Sequence, residues 1–218
     1  EYAMKRLVAS GSGAIFQICK AFRDGEAGRS HNPEFTLLEW YRPGFDHQKL
    51  MDEVDLLIGE IVGFPAAKRV TYQDAMCSHA GLDPMTVSVD CLAAKARALG
   101  VCDEGLELSH DDYLDLILTH AVQPALPTGA VFIYDFPATQ AALATIRPGD
   151  PPVAERFELF LNGLEVANGY HELTDPAEQR RRFECDLSER RRRGLSVPPI
   201  DERLLGALQA GLPACAGV

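Results

Sequence analysis

Asn162-Gly163 stands between two apolar runs, 156–161 and 164–169, and no other short segment constrains the chain as much. Both central residues of a two-residue hairpin turn need φ > 0, which Asn and Gly adopt most readily. The chain must therefore double back here as a tight antiparallel hairpin. A simple two-residue turn pairs Phe160 with Glu165 and Glu158 with Ala167, which makes Glu158 and Glu165 diagonal neighbours on one face. Two carboxylates that close repel each other unless a cation sits between them. Mg²⁺ takes one or two carboxylates together with phosphate oxygens, so this face suits Mg²⁺ held against a nucleotide. The competing reading turns both carboxylates to solvent, where outward charges protect a sheet edge.

A second hairpin is expected near the start. The apolar run 14–22 follows Ser10-Gly11-Ser12-Gly13, a polar loop spans 24–32, and a strand over 35–41 ends at Pro43-Gly44. By the period of two, Phe35, Leu37, Glu39 and Tyr41 share one face of that strand. A strand covering only a core would not bury Glu39 without a partner. An aromatic plate with Arg23 nearby suits a nucleotide, ring on base and guanidinium on phosphate. A solvated hairpin with exposed charges explains the same residues equally well.

Between the hairpins, Leu50, Val54, Leu57, Ile58 and Ile61 recur at helical spacing and predict a helix over 47–61. Short helices are expected over 72–80, 89–99 and 110–122, with Ser109 as an N-cap. The block 71–128 carries no motif of its own and reads as structural filler. A strand follows over 130–136. Asp175-Pro176-Ala177-Glu178 starts a helix running to about 193, with an N-cap, Pro at N1 and Glu at N3. A last helix spans about 201–210 with Gly211 past its end. Antiparallel sheet with flanking helices is an α+β arrangement.

Charge excludes several partner classes. The 218 residues carry 21 Lys and Arg against 32 Asp and Glu, a net charge of −11. A whole-surface attraction to nucleic acid or anionic membrane is disfavoured, and no apolar run is long enough to span a membrane. Six cysteines at 19, 77, 91, 102, 185 and 215 form no CxxC pair; reduced, mostly buried thiols in a cytoplasmic protein are expected. The opening Glu1-Tyr2-Ala3 reads as a start inside a domain. Arg180-Arg181-Arg182 and Arg190-Arg191-Arg192-Arg193 lie on one expected helix with Glu184, Asp186 and Glu189. That pattern is either a solvated face or a docking strip for an acidic partner.

Phe22-Arg23 with His31-Asn32-Pro33-Glu34-Phe35 resembles motif 2 of the class II aminoacyl-tRNA synthetases in its lysyl form. Glu1-Tyr2-Ala3-Met4-Lys5-Arg6-Leu7 resembles the segment just before it, and Asn168-Gly169-Tyr170-His171-Glu172-Leu173-Thr174-Asp175 resembles the lysine-pocket segment. Leu38-Glu39-Trp40-Tyr41-Arg42-Pro43, the insertion over 71–128, and His171 where genuine lysyl enzymes usually carry Ser are similar to truncated lysyl paralogues that modify elongation factor P.

The resemblance implies an α+β, class II antiparallel sheet flanked by helices. It implies an ATP-dependent, AMP-forming ligase that activates a lysine-type amino acid, (R)-β-lysine, and passes it to a lysine of elongation factor P rather than to tRNA. Arg23 would be catalytic and grip the α-phosphate of ATP, with Asp24, Gly25, Glu26, His31 and Asn32 around the nucleotide and Phe35 on adenine. Glu165 and Val166 would lie at the ATP, and Glu158 with Glu165 would hold Mg²⁺. Glu1, Tyr41 and Glu172 would bind the substrate amino groups, with Glu39, Asn168 and Tyr170 lining the pocket. Motif 2 usually has Glu two residues after its Arg; here Gly25 holds that place and Glu26 follows. Motif 1 is expected upstream and motif 3 downstream, so 1–218 would be a partial catalytic domain of a homodimeric enzyme, 71–128 being an insertion. A genuine lysyl-tRNA synthetase core and a non-catalytic nucleotide- or amino-acid-binding paralogue are the alternatives.

Overall fold

A computed structural model describes residues 1–23, 28, 32–103, 105–106 and 108–218. The expectations for Asp24, Gly25, Glu26 and His31 concern residues outside this set. In chain order the elements are α1 (Tyr2–Ala9), β1 (Ile15–Phe22), β2 (Glu34–Pro43), α2 (His47–Val62), β3 (Lys68–Thr71), α3 (Tyr72–Ala80), α4 (Val89–Ala98) and α5 (His110–Ile117). Then come β4 (Ala130–Pro137), β5 (Ile146–Arg147), β6 (Val153–Leu161), β7 (Leu164–His171), α6 (Pro176–Arg192), α7 (Glu202–Gly211) and β8 (Cys215–Gly217). The α+β class is as expected. The chain divides into two compact units, Glu1–Phe45 with Glu172–Val218, and Asp46–His171.

In the first unit β2 pairs antiparallel with β1 on one side and β8 on the other. The register sets Gln17 opposite Glu39 and Ala21 opposite Phe35. Burial alternates along β2 as the period of two requires, with Glu39 and Tyr41 fully covered and Phe35 and Leu37 partly so. Met4 and Val8 of α1, Leu204, Leu205 and Leu208 of α7, Tyr41 and Cys215 form the core. Asp175 caps α6 as expected, its carboxylate accepting from the Ala177 and Glu178 amides. Asp201 caps α7 in the same way. Gly211 lies inside α7, not past its end, and takes φ +116° as the last residue of the helix. Along α6, Arg181 and Arg182 pair with Glu178, and Arg192 and Arg193 with Glu189; Arg180 pairs with Glu202. This internal pairing favours the solvated-face reading of the arginine-rich helix.

In the second unit the strand order is β3-β4-β6-β7, with β5 also on β6. Only β3 and β4 run parallel among these pairs. The expected hairpin forms, with Asn162 at φ 51° and Gly163 at φ 80°. Its register departs from the simple one. Phe160 does face Glu165, but a bulge between Leu159 and Phe160 sets Glu158 opposite Asn168, not Ala167. The extra residue on β7 absorbs the shift, so Glu158 and Glu165 remain on one face and Asn168 joins them.

The block 71–128 does more than fill space. Tyr72, Met76, Leu92, Tyr113, Leu114 and Ile117 share one core with Ile133, Phe136 and Phe160 of the sheet. Ser109 caps α5 through a full capping box with Asp112. The predicted helix 110–122 is α-helical only to Ile117 and continues as a π-helical turn over Leu118–Val122. The cysteines carry no disulfide, but only Cys215 is buried; Cys77, Cys91 and Cys185 are exposed and Cys19 and Cys102 lie between. The expectation of mostly buried thiols is therefore wrong. Cys77, Cys91 and Cys185 lie on the solvent side of α3, α4 and α6, where a small thiol costs little.

Candidate functional site

Three groups of residues carry chemistry, two in the first unit and one in the second. The first is built on α1, β2 and the segment after β7. Lys5 is 2% exposed, and its Nζ lies 2.6 Å from Glu172 Oε2 and 3.1 Å from Glu1 Oε1. Glu172 is 1% exposed, and its amide donates to the Cys215 carbonyl at 2.9 Å. Glu39 is 7% exposed; its Oε1 makes no hydrogen bond among the described residues and faces the backbone nitrogen of Glu1 at 3.4 Å. Glu1, Glu39, Tyr41 and Glu172 are thus brought together, as predicted.

The electrostatics follow from burial. Desolvation pushes the Glu172 carboxyl up to about 7, the Lys5 ammonium opposing it and Glu1 adding to it. Burial, then Glu172 and Glu1, drives the Tyr41 phenol far above its ordinary value. Burial would lower the Lys5 ammonium, but Glu172 and Glu1 outweigh it and its pKa rises. Cys215 is pushed up to about 12, chiefly by burial and then by Glu172. The cluster holds three carboxylates against one lysine, an excess of negative charge where charge is expensive.

Gly217 closes this cluster. A Cβ there would stand 2.5 Å from Tyr41 Cε1 and 2.6 Å from Glu172 Oε1. Gly217→Ala must move one of the two. We expect it to cost about 1–3 kcal/mol, as overpacking does, read in urea denaturation. If Gly217→Ala unfolds at the wild-type urea concentration, β8 does not press on these groups.

The second group joins the two ends of the β1–β2 hairpin. The Arg23 guanidinium lies 5.2 Å from the centre of the Phe35 ring, and the Arg23 amide donates to the Pro33 carbonyl at 2.9 Å. Both Arg23 and Asn32 are exposed and Phe35 is half-buried. The predicted pairing of a cation with an aromatic plate is present.

The third group lies on β6 and β7 and is organised by Arg156. Its guanidinium bonds Glu158, donates to Asn168 Oδ1 at 3.2 Å and to the Gln140 carbonyl at 3.1 Å, and lies 4.4 Å from the centre of the Phe136 ring and 6.0 Å from that of Tyr170. Glu158 is buried and Glu165 exposed, so Glu158 does not face solvent as the competing reading had it. Burial pushes Glu158 up to about 7; Arg156 opposes this, and Glu165 and Asp115 add to it. Asp115 of α5 is itself pushed up to about 6 by burial, against Arg156, and accepts from Gln140 Nε2 at 2.8 Å. Val166 is exposed at the bulge. Among the described residues no three His, Cys, Asp or Glu side chains are placed to hold a metal. Two carboxylates, one of which raises the pKa of the other, do fit Mg²⁺, provided a ligand supplies further oxygens.

Sequence reasoning missed Lys5, Arg156 and Asp115. Lys5 follows Glu1 at helical i+4 spacing, and Arg156 precedes Glu158 by the strand period of two; both signals were there once the element was known. Asp115 had none. His171 pairs with Glu155, which meets Arg147 at 3.3 Å; Arg147 in turn bonds Asp135 at 2.5 Å.

Comparison with known proteins decides the lineage. The family described as tRNA synthetases class II (D, K and N) matches residues 1–218. The chain belongs to the class II tRNA synthetase family. Within this family, it is 51% identical over 220 residues to a Vibrio atlanticus protein named elongation factor P–(R)-β-lysine ligase. It is 50% identical to the Vibrio cholerae protein of the same name and 49% identical, over 225 residues, to that of Klebsiella pneumoniae. Each comparison covers 100% of this chain and 68% of the relative. In this class II chain no helix of the described residues is long and apolar enough to cross a membrane.

Proposed function

We propose that this chain is the ATP-dependent activating part of a ligase that joins a lysine-type amino acid, (R)-β-lysine, to elongation factor P. The names of its relatives support the substrate and the acceptor. The observation that carries the reading is the carboxylate cluster of buried Glu39 and Glu172 with the more exposed Glu1, in which Lys5 pairs with Glu1 and Glu172. Three carboxylates against one ammonium leave two negative charges, which suit an amino acid bearing two ammonium groups. Glu1, Tyr41 and Glu172, with Glu39, Asn168 and Tyr170, are the proposed substrate contacts.

A carboxylate oxygen of the amino acid attacks the α-phosphorus of ATP. The bond to the β-phosphate oxygen breaks and pyrophosphate leaves. Arg23 neutralises charge developing at the α-phosphate, and Phe35 carries the adenine, with Asp24, Gly25, Glu26, His31, Asn32 and Val166 around the nucleotide. Glu158 and Glu165 would hold Mg²⁺, which supplies charge neutralisation at the phosphates. An ε-amino group of elongation factor P then attacks the carbonyl carbon, forming an amide and releasing AMP.

The match over residues 1–218 supports one synthetase-like catalytic domain, and in this reading 71–128 is an insertion within it. The exposed apolar face of β1 and β2, with Phe16 71%, Ile18 65% and Phe22 72% exposed beside Leu38, supports a homodimer. Six free thiols support a cytoplasmic setting. The test is pyrophosphate exchange with (R)-β-lysine, L-lysine and norleucine, followed by transfer to elongation factor P or tRNA. We expect exchange with the diamino acids, rejection of norleucine by roughly 10⁴-fold or more, and transfer to the protein. Charging of tRNA alone would make it a genuine lysyl-tRNA synthetase core. Binding without exchange would make it a non-catalytic paralogue.

A further inference from the structure

Lys5 has no part in the reaction just described, yet it sits at the centre of the carboxylate cluster. Helix α1 turns Lys5 inward beside Met4, and it is 2% exposed. A buried ammonium is costly unless paired. Lys5 is paired twice, with Glu172 at 2.6 Å and Glu1 at 3.1 Å, and these are two of the carboxylates assigned to the substrate. A carboxylate offers about four acceptor positions on its two oxygens, so a bond to Lys5 leaves room for a second ammonium. A buried carboxylate without a cation takes up a proton, and a neutral carboxyl holds an ammonium poorly.

We propose that Lys5 is a specificity-determining positioning residue, whose ammonium keeps the buried Glu172 carboxylate charged and turned so that it can receive a substrate ammonium at neutral pH. This rests on the lysine-type reading above. Lys5 does not replace the substrate, because the cluster keeps two negative charges after Lys5 is counted. Among the described residues, Lys5 and Glu1 from the α1 segment are the side chains that act most on Glu172. Glu172 in turn acts on Tyr41 of β2 and Cys215 of β8, and Glu39 of β2 lies across the cluster. Lys5 is the side-chain cation among these groups. Removing its charge leaves burial and Glu1, both of which push Glu172 further above about 7. Ammonium binding should then be lost at neutral pH and return as the pH rises.

The experiment is calorimetric titration of the full chain with L-lysine and with norleucine from about pH 6 to pH 9. Lys5→Met and Lys5→Gln remove the charge; Gln can still hydrogen-bond both carboxyls, so it stays informative if Met does not fold. Lys5→Arg keeps the charge. In both neutral variants we expect the pH midpoint of L-lysine binding to rise by about one unit or more. Affinity at pH 7 should then be about tenfold weaker or worse and largely restored by pH 9, and Lys5→Arg should keep the wild-type midpoint. Neutral variants that fold and keep the wild-type midpoint, or that lose affinity equally at every pH, overturn the role given to Lys5. A wild-type chain that binds L-lysine no better than norleucine overturns the lysine-type reading and this inference with it. Wild-type preference for L-lysine alongside an unmoved midpoint overturns the Lys5 role alone.

Discussion

Glu172→Gln is expected to lower kcat/KM for the lysine-type amino acid by roughly 30- to several-thousand-fold, on the order of 2–5 kcal/mol. The carboxylate is 1% exposed, so an ammonium bound to it has left water and depends on the charge it meets. An amide keeps the shape and loses the charge. Lys5 keeps Glu1 at 3.1 Å, which limits the damage to the fold, and a thermal melt checks this. A pH signature accompanies the loss. The Glu172 carboxyl sits up at about 7, so in the wild type it gains a proton as pH falls through that value. Amino-acid affinity should therefore fall on the acid side, toward about tenfold for each unit below 7. In Glu172→Gln that limb should vanish from the amino-acid KM. Pyrophosphate exchange with (R)-β-lysine at wild-type kcat/KM would show that Glu172 is not the ammonium partner.

Glu165→Gln is expected to reduce pyrophosphate exchange by about 10²–10³-fold, because a metal at the phosphates supplies several kcal/mol of charge stabilisation and a neutral amide is a poor ligand for a hard cation. Glu165 is exposed on β7, so folding should be little changed, and urea denaturation reads this directly. Glu158 should respond. Its carboxyl stands at about 7 partly because Glu165 repels its charge; without that charge it should titrate lower, as carboxyl ¹³C shifts can follow. The Mg²⁺ concentration for half-maximal exchange should rise as well. An exchange rate unchanged across the Mg²⁺ range would remove the metal from this hairpin.

The site was partly legible in the sequence. Phe35 with Arg23, and Glu158 with Glu165, follow from residue types and strand periodicity. Glu1 and Glu172 came only through the family resemblance, because no local pattern links residue 1 to residue 172. Helix α1 went unread: its buried side holds Met4, Val8 and the charged Lys5, which breaks the apolar stripe that periodicity detects. Strands β3 and β8 are four and three residues long, too short for any pattern of their own, and each forms because a neighbouring strand offers its edge. The bulge opposite Leu159 and Phe160 left the shared face intact while changing every pairing beyond it.

What this sequence determines by itself is what neighbouring residues decide among themselves. Asn162-Gly163 turns the chain, Asp175 and Ser109 start helices with their own side chains, and the period of two selects which side of β2 is covered; in α2 the apolar spacing marks the helix, but of its five spaced residues only Leu50 and Val54 are buried and Ile61 is 69% exposed. These are short-range effects of backbone sterics, capping and periodicity. The tertiary structure decided how the charges behave. Glu172 and Glu158 have the same side chain as exposed Glu165, yet burial lifts their carboxyls to about 7. Lys5 and Arg156 reach them from α1 and from the adjoining stretch of β6. Desolvation depends on every atom that covers a group, and those atoms come from segments far apart in the chain.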